Sequence, residues 1–449
     1  MRIAVIGSGI TGLGAAWLLA KSHEVTVFEE NAHFGGHANT VDVEEPAGPL
    51  AVDTGFIVYN TACYPNLIAL FDKLDVPTAP TEMSFAVSLG DGAFEYSGNG
   101  LSGLFGQPSN LLSPTHWRMT FDIIRFFKAA SALDLASHDP DETLGQWLDQ
   151  NGYSSAFTKR HILPMAAAIW SAPADRMLEF PIAAFARFFG NHGLLQVADR
   201  PAWRTVRGGS REYVSRIRND CQAAFRGDDA VTAIRRVKAG VEVKTAAGHV
   251  ECFDQAVIAT HADTALGLIK DPDDVERNLL QPFRYEQNRA VLHTDDALMP
   301  RRKRLWTSWN YLSDDDAGGS LAVTYWMNKL QPLPTTTDYF VTLNPRRPIQ
   351  EKKVLRSITY QHPLFDTLAM NAQKDLWELQ GQNGLWFAGS YFGYGFHEDG
   401  LQAGLAVAED LGGIPRPWSV ADARARVLAT GAHQSANTAS GSAVMEAAE

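Results

Sequence analysis

Near its N-terminus the chain reads Gly7-Ser8-Gly9-Ile10-Thr11-Gly12, three glycines at the spacing G-x-G-x-x-G. The backbone N–H groups of such a turn, with the free end of a following helix, can accept a pyrophosphate, and only glycine lets the chain approach that closely. A carboxylate is then needed roughly 20 residues on, at the end of a second strand, to bond ribose hydroxyls. Glu29 meets that requirement, with Glu30 beside it. A glutamate there favours a free 2′-hydroxyl, and therefore FAD or NAD over NADP. The chemistry in view is dinucleotide binding.

The elements around these residues have the order that chemistry requires. Arg2 to Ile6 (RIAVI) reads as a strand, LGAAWLLAK carries small and apolar residues at helical spacing, and EVTVFE is a second strand leading into the turn NAHFGG. From about Ser109 to Leu195 the pattern becomes helical and aromatic, and TVRGG returns it to glycine turns. Val231 to Val243 reads as paired strands, FDQAVIAT as a buried strand, and Leu305 to Leu343 alternates like antiparallel sheet. LWFAGSYFGYGFHEDGLQAGLAVAEDLGG reads as strand, glycine loop and helix, ending at Gly412 and Gly413. The Ala/Ser/Thr-rich residues 419–449 are expected to be a disordered tail.

Composition removes several classes. With 39 Lys+Arg against 51 Asp+Glu the formal charge is −12, which argues against a nucleic-acid partner. Cys63, Cys221 and Cys252 lie too far apart for a disulfide framework or a zinc site, so no metal is expected and a reducing cytosol fits. No run approaches the ~18 apolar residues of a spanning helix. The apolar N-terminus imitates a secretory signal, but its glycines and its direct continuation into a second strand oppose one.

Beyond Glu29 the pattern continues as E-x5-G-G to Gly35 and Gly36, and this extended form resembles the FAD-containing amine oxidase and phytoene desaturase superfamily. FDQAVIATHA and LWFAGS followed by GYGFHEDGLQAG resemble two further motifs of that superfamily. The resemblance implies an α/β fold: a discontinuous Rossmann-like FAD-binding domain (1–75, 200–270 and 380–418) with an inserted substrate domain of mixed sheet plus helices (76–199 and 271–379). It implies that Gly36 and the next residue help hold the pyrophosphate; that residue is His37, where an arginine is common. It places adenine against the backbone at Val231, and the ribityl and phosphate region against Gly389 and Ser390, although an acid often stands at the latter position. It also lays a helix N-terminus near Gly400 and Leu401 against the flavin, where its positive end would stabilise a reduced ring. With no cysteine close to this motif, the FAD should be non-covalent.

At the flavin, Phe396 aligns with one wall of an amine-oxidase aromatic cage, and no second wall is evident. His397 is a general acid/base, a hydrogen-bond partner of the flavin, or a structural histidine satisfied by backbone. Lys329 is either the lysine that holds water at flavin N5 in some family members or a solvated strand-end residue. Trp170, Trp306, Trp309, Tyr325 and Trp326 either line a substrate cavity or form core. The stretch Trp117 to Leu133, basic and aromatic, either lies in a membrane interface or packs on its own domain, and Phe185, Arg187, Phe188 and Phe189 form a second such patch. The expected reaction is dehydrogenation of an apolar substrate such as a fatty acyl chain or isoprenoid, by a cytoplasmic protein resting at most on the inner membrane face. The alternatives are a flavin amine oxidase, an NAD-dependent dehydrogenase and a flavin-binding protein without turnover.

Overall fold

Arg2–Ile6 supplies a row of small and branched apolar residues, and it pairs on both edges with parallel strands. On one side Ile3 and Val5 lie opposite Val25 and Val27 of Glu24–Phe28; on the other Ala4 and Val5 lie opposite Ala256 and Val257 of Gln255–Ile258. Ala224–Arg226 and Leu385–Phe387 complete a five-stranded parallel sheet as its two edge strands. A parallel sheet needs cover on both faces, which explains why its strands read as continuous apolar runs. The helix Ile10–Leu19 provides part of that cover and is buried along its whole length.

A second helix, His397–Gly412, crosses the first at close range. A Cβ at Gly404 would lie 2.2 Å from the Thr11 carbonyl oxygen, and one at Gly14 would lie 2.7 Å from Leu401 Cδ1. Small residues on facing positions therefore set the distance between the two helices and bring the C-terminal motif to the N-terminal glycine turn.

The other large sheet has seven strands of mixed direction. Its longest pairing joins Arg284–His293 to Val354–Leu364, and the order continues through Phe340–Leu343, Ala322–Trp326, Trp309–Ser313 and Phe85–Leu89 to Phe94–Ser97. Trp309–Ser313 and Phe85–Leu89 run parallel, joining segments more than 200 residues apart in the chain. A three-stranded meander, Val231–Val237, Gly240–Thr245 and Val250–Phe253, precedes the return to the parallel sheet. The computed structural model describes residues 1–133, 138–139, 141–170, 176–191, 193–196, 201–314, 322–412 and 414–427.

Three expectations are revised. The aromatic helix begins at Pro114 and ends at Ser131, because Ser113 caps it by accepting from the His116 N–H (3.2 Å) and Pro114 opens the first turn. Phe185, Phe188 and Phe189 are fully buried, so that second patch is core. The tail starts later than residue 419: Arg424 pairs with Asp410 (2.9 Å), and Arg426 pairs with the buried Asp399 (2.9 Å) and donates to the Cys63 carbonyl. The remainder, 428–449, lies outside the described residues.

Candidate functional site

The three glycines of the first turn serve different physical ends. Gly7 has φ +101°, a region that favours glycine, and a Cβ there would lie 2.6 Å from the Ala259 carbonyl oxygen. A Cβ at Gly12 would lie 1.9 Å from the Gly7 carbonyl oxygen, so the strand and helix pack too closely for any side chain. Gly9 has an ordinary φ of −64°, and a Cβ on it would meet nothing within 4 Å. Packing therefore requires Gly7 and Gly12, whereas Gly9 keeps a surface bare at the start of a helix.

The Gly35-Gly36 turn is fastened to this one. Gly9 and Gly35 form a parallel bridge, and a Cβ at Gly36 would lie 3.2 Å from Gly9 Cα. The Ser8 hydroxyl accepts from the Gly35 N–H (3.2 Å) and donates to Glu29 Oε2 (2.7 Å). Glu29 is buried, and its other contacts are the Ser8 N–H (3.1 Å), the Asn31 N–H (3.1 Å) and Asn31 Nδ2 (3.0 Å). With about four lone-pair sites on a carboxylate, these donors saturate it, so a ribose hydroxyl bonding Glu29 must displace one of them, most simply the Asn31 side chain. The segment leading to Val231 closes the same corner, with the Asp229 N–H donating to the Glu29 carbonyl (3.0 Å).

His37 opens a group of rings that sequence spacing does not reveal. It stacks on Tyr360 (5.0 Å between centroids) and lies 5.5 Å from His362 and 6.4 Å from His261. His261 follows the strand Gln255–Ile258 and stacks on Tyr285 at 4.2 Å. Burial holds His362 down to about 4, and it pushes His261 below and His37 well below the ordinary imidazole value, with neighbouring histidines reinforcing the shift at His37 and His362. All three rings are neutral at neutral pH. They sit where the two glycine turns meet the long strands of the mixed sheet.

This corner fits a dinucleotide on two counts. Gly9 presents the open surface that a side chain would fill, and His37 Nε2 is a buried polar atom with no partner among the described residues. A neutral imidazole whose ring also bonds the Gln361 backbone can accept there from a ribityl hydroxyl, without the charge an arginine would bring.

The C-terminal motif is more structural than its spacing implies. Gly389 is extended, and a Cβ on it would run into the Tyr391 ring at 2.3 Å; Ser390 accepts from the Gly393 and Gly395 N–H groups (both 3.1 Å) through its carbonyl. Gly400 and Leu401 lie one turn inside the helix His397–Gly412 and pack on the helix Ile10–Leu19, with a Cβ at Gly400 2.5 Å from Thr11 Oγ1. They are helix-packing residues, and the helix's free N–H groups belong to its first turn at His397. The Asp399 carboxylate accepts from the Tyr394 and Phe396 N–H groups (3.0 and 2.8 Å) while Arg426 neutralises it.

His397 stacks on Phe56 (3.8 Å) and meets the Tyr213 hydroxyl at 3.1 Å, and burial lowers its pKa to about 3. That environment gives a neutral ring fixed in place and withholds a proton-transfer role at neutral pH. Phe396 stacks on Phe188 with centroids 5.0 Å apart and planes at 23°. The two rings fill each other's faces and leave no slot for an amine between them. Lys329 is also spoken for, because its ammonium pairs with Glu82 at 3.0 Å on a half-exposed surface. The water-holding role expected of it is withdrawn. Trp309 packs edge-on to its cross-strand neighbour Tyr325, and Trp306 edge-on to Trp326, so these aromatics knit the sheet. The side chain of Trp170 lies outside the described residues.

Residues 5–74 match the family model of the NAD(P)-binding Rossmann-like domain. The N-terminal unit is a Rossmann-like domain. The Rossmann-like unit sits within a larger fold shared with solved structures: the CLA-producing fatty acid isomerase from P. acnes (TM-score 0.65, 16% identity, 91% of this chain and 97% of that one) and a putrescine oxidase redesigned in cofactor binding (0.64, 15%, 92% and 99%). At these identities the likeness is one of fold, which is amine-oxidase-like. Among curated proteins the chain is similar to 4,4'-diapophytoene desaturase of Staphylococcus aureus (strain Newman), 58% identical over 103 residues, or 19% of this chain and 20% of the relative. The chain spans at most about a fifth of the length of the curated relatives it matches.

Proposed function

We propose that the protein is an FAD-dependent oxidoreductase that dehydrogenates an apolar substrate such as a fatty acyl chain or isoprenoid. The observation that carries this reading is the double glycine cradle, in which Ser8 and Gly9 tie the G-x-G-x-x-G turn to Gly35-Gly36 beside the bare face of Gly9. In the proposed arrangement Gly7 to Gly12 and the start of helix Ile10–Leu19 hold the pyrophosphate, Glu29 the ribose, the Val231 backbone the adenine, and Gly389 and Ser390 the ribityl region. When bound, FAD supplies the two-electron acceptor for a hydride from the substrate, and oxygen or a quinone-linked acceptor reoxidises it. His37 accepts one hydrogen bond from a ribityl hydroxyl of the cofactor. His261, neutral and stacked on Tyr285, and His362, neutral and set beside His37, line the approach without attracting ions. His397 is a positioning residue, fixing the first turn of its helix through Phe56 and Tyr213.

Two features support an apolar substrate: the titratable rings at the site are held neutral, and the basic side chain expected nearest the flavin is paired elsewhere with Glu82. The name of the diapophytoene desaturase relatives agrees with it. The reading also draws substrate from a membrane face.

The test is the visible spectrum of the purified protein, identification of the released cofactor, and anaerobic titration with isoprenoid and fatty acyl compounds beside an amine panel. The expected result is a yellow protein that releases FAD and is bleached by an apolar compound. A colourless protein that FAD cannot reconstitute refutes the cofactor, and bleaching by amines alone refutes the substrate class.

A further inference from the structure

A surface-borne helix ordinarily buries one apolar stripe and wets the opposite one. The helix Pro114–Ser131 departs from that rule, because it is apolar on two opposite faces. Met119, Ile123, Phe126, Phe127 and Ala130 are buried in the domain. On the other side Trp117, Phe121 and Ile124, at i, i+4 and i+7, are 51%, 61% and 60% exposed. The preceding turn extends the same surface with Leu111 and the almost fully exposed Leu112 (87%), and Trp117 Nε1 donates to the Leu111 carbonyl (2.9 Å), fixing the two segments to each other. Half of the twelve large apolar side chains found exposed among the described residues, Leu101 included, fall between 101 and 124. Such a cluster exceeds the scattered apolar exposure normal for a soluble surface.

The charges beside it are cationic. Arg118 and Arg125 flank the stripe and share a single carboxylate, the buried Asp122 (3.3 and 3.1 Å), while the exposed Lys128 continues the stripe one turn beyond Ile124. Two arginines against one aspartate, plus one lysine, leave a positive face on a chain of formal charge −12. We infer that Leu111, Leu112, Trp117, Phe121 and Ile124 insert into an anionic lipid bilayer, with Arg118, Arg125 and Lys128 at the headgroups. The inference deepens the proposed use of a lipid-borne substrate and rests on that reading for its purpose only. Charge decides the occupant: a second copy packed symmetrically on this face would set these cations against their own kind, whereas an anionic leaflet complements them. Side chains exposed to this degree also suit a fluid acyl boundary better than a preformed groove.

The full-length holoprotein should co-sediment with vesicles of phosphatidylcholine containing phosphatidylglycerol, and much less with phosphatidylcholine alone. The double variant Leu112→Ser/Phe121→Ser should lower partitioning about tenfold or more. Arg118→Gln/Lys128→Gln should erase the preference for anionic vesicles, as should ~0.5 M salt. Leu112, Phe121 and Lys128 are exposed and Arg118→Gln leaves Asp122 paired with Arg125, so the melting temperatures should stay close to that of the unmodified protein and exclude misfolding as the cause. Absence of sedimentation with either vesicle, or equal binding by the Ser variant, overturns the inference, as does a dimer in light scattering that the Ser variant abolishes. The readout contains no turnover, so loss of the substrate assignment alone would leave it unchanged.

Discussion

Gly9→Ala and Gly12→Ala alter the same motif by the same methyl group, yet the structure assigns them opposite consequences. At position 12 the new Cβ would lie 1.9 Å from the Gly7 carbonyl oxygen, and that backbone atom directly follows a strand paired on both sides. Relief requires the helix to separate from the sheet, so the expected loss is about 3 kcal/mol, in the upper range of overpacking costs. At position 9 the methyl meets nothing and φ is already ordinary. Replacing a glycine N-cap by alanine costs about 0.5–1 kcal/mol, and restricting the unfolded chain offsets about 0.4–1 kcal/mol, so stability should stay within about 0.5 kcal/mol. The methyl nevertheless occupies the surface assigned to the pyrophosphate, and FAD affinity should fall about tenfold or more. Thermal melts of the apoprotein and flavin-fluorescence titrations measure the two quantities separately. Wild-type FAD affinity in Gly9→Ala, or wild-type stability in Gly12→Ala, would refute the division of labour.

Arg426→Met should destabilise by about 3 kcal/mol in urea melts, because it strands a buried carboxylate at Asp399; an unchanged midpoint would show that the pair contributes nothing. Folded His362 and His397 titrate near 4 and 3, below the unfolded value of about 6.5, so between roughly pH 6.5 and 4 the unfolded chain binds protons the folded chain refuses. Apoprotein stability should therefore fall with pH across that window, by at most about 1.4 kcal/mol per unit per ring, and His362→Gln should flatten the slope in melts from pH 7 to 4.5. Lys329→Met should leave turnover unchanged and alter stability by no more than about 1 kcal/mol, since it loses only a surface pair with Glu82; a collapse in kcat would restore the lysine to the reaction.

What could be read without coordinates was whatever a local pattern encodes. The strand, glycine turn, helix and acid from Arg2 to Glu29 declare themselves because each requirement falls within one βαβ unit. The substrate sheet was half visible: Trp309–Ser313 and Ala322–Trp326 alternate, but the long strands Arg284–His293 and Val354–Leu364 carry charges, a late proline and mixed exposure that blur their period. The histidine group was invisible for a different reason. His37, His261 and His362 come from three distant segments, and each alone is indistinguishable from a core or surface histidine until the sheets bring them together. Gly400 and Leu401 show the converse failure. Their spacing matched a ligand motif, while in space the same small and apolar residues bring two helices into contact.

The strand order of the parallel sheet also governs how the protein can be made. Arg2–Ile6 and Glu24–Phe28 leave the ribosome long before their other partners, Gln255–Ile258 and Ala224–Arg226, and the Leu385–Phe387 edge is translated later still. At about 5–20 residues per second, the first two strands wait on the order of ten seconds or more for a neighbour, with Val25, Val27, Ile3 and Val5 uncovered. An unpaired apolar edge of that lifetime is a hazard for intermolecular pairing. The Gly35-Gly36 turn comes from the same early segment, so both loops of the cradle exist on the nascent chain long before the sheet that holds them rigid. Flavin supplied during translation should then raise the yield of active protein more than the same flavin added after release, and a low-flavin expression host should accumulate aggregate in place of soluble apoprotein.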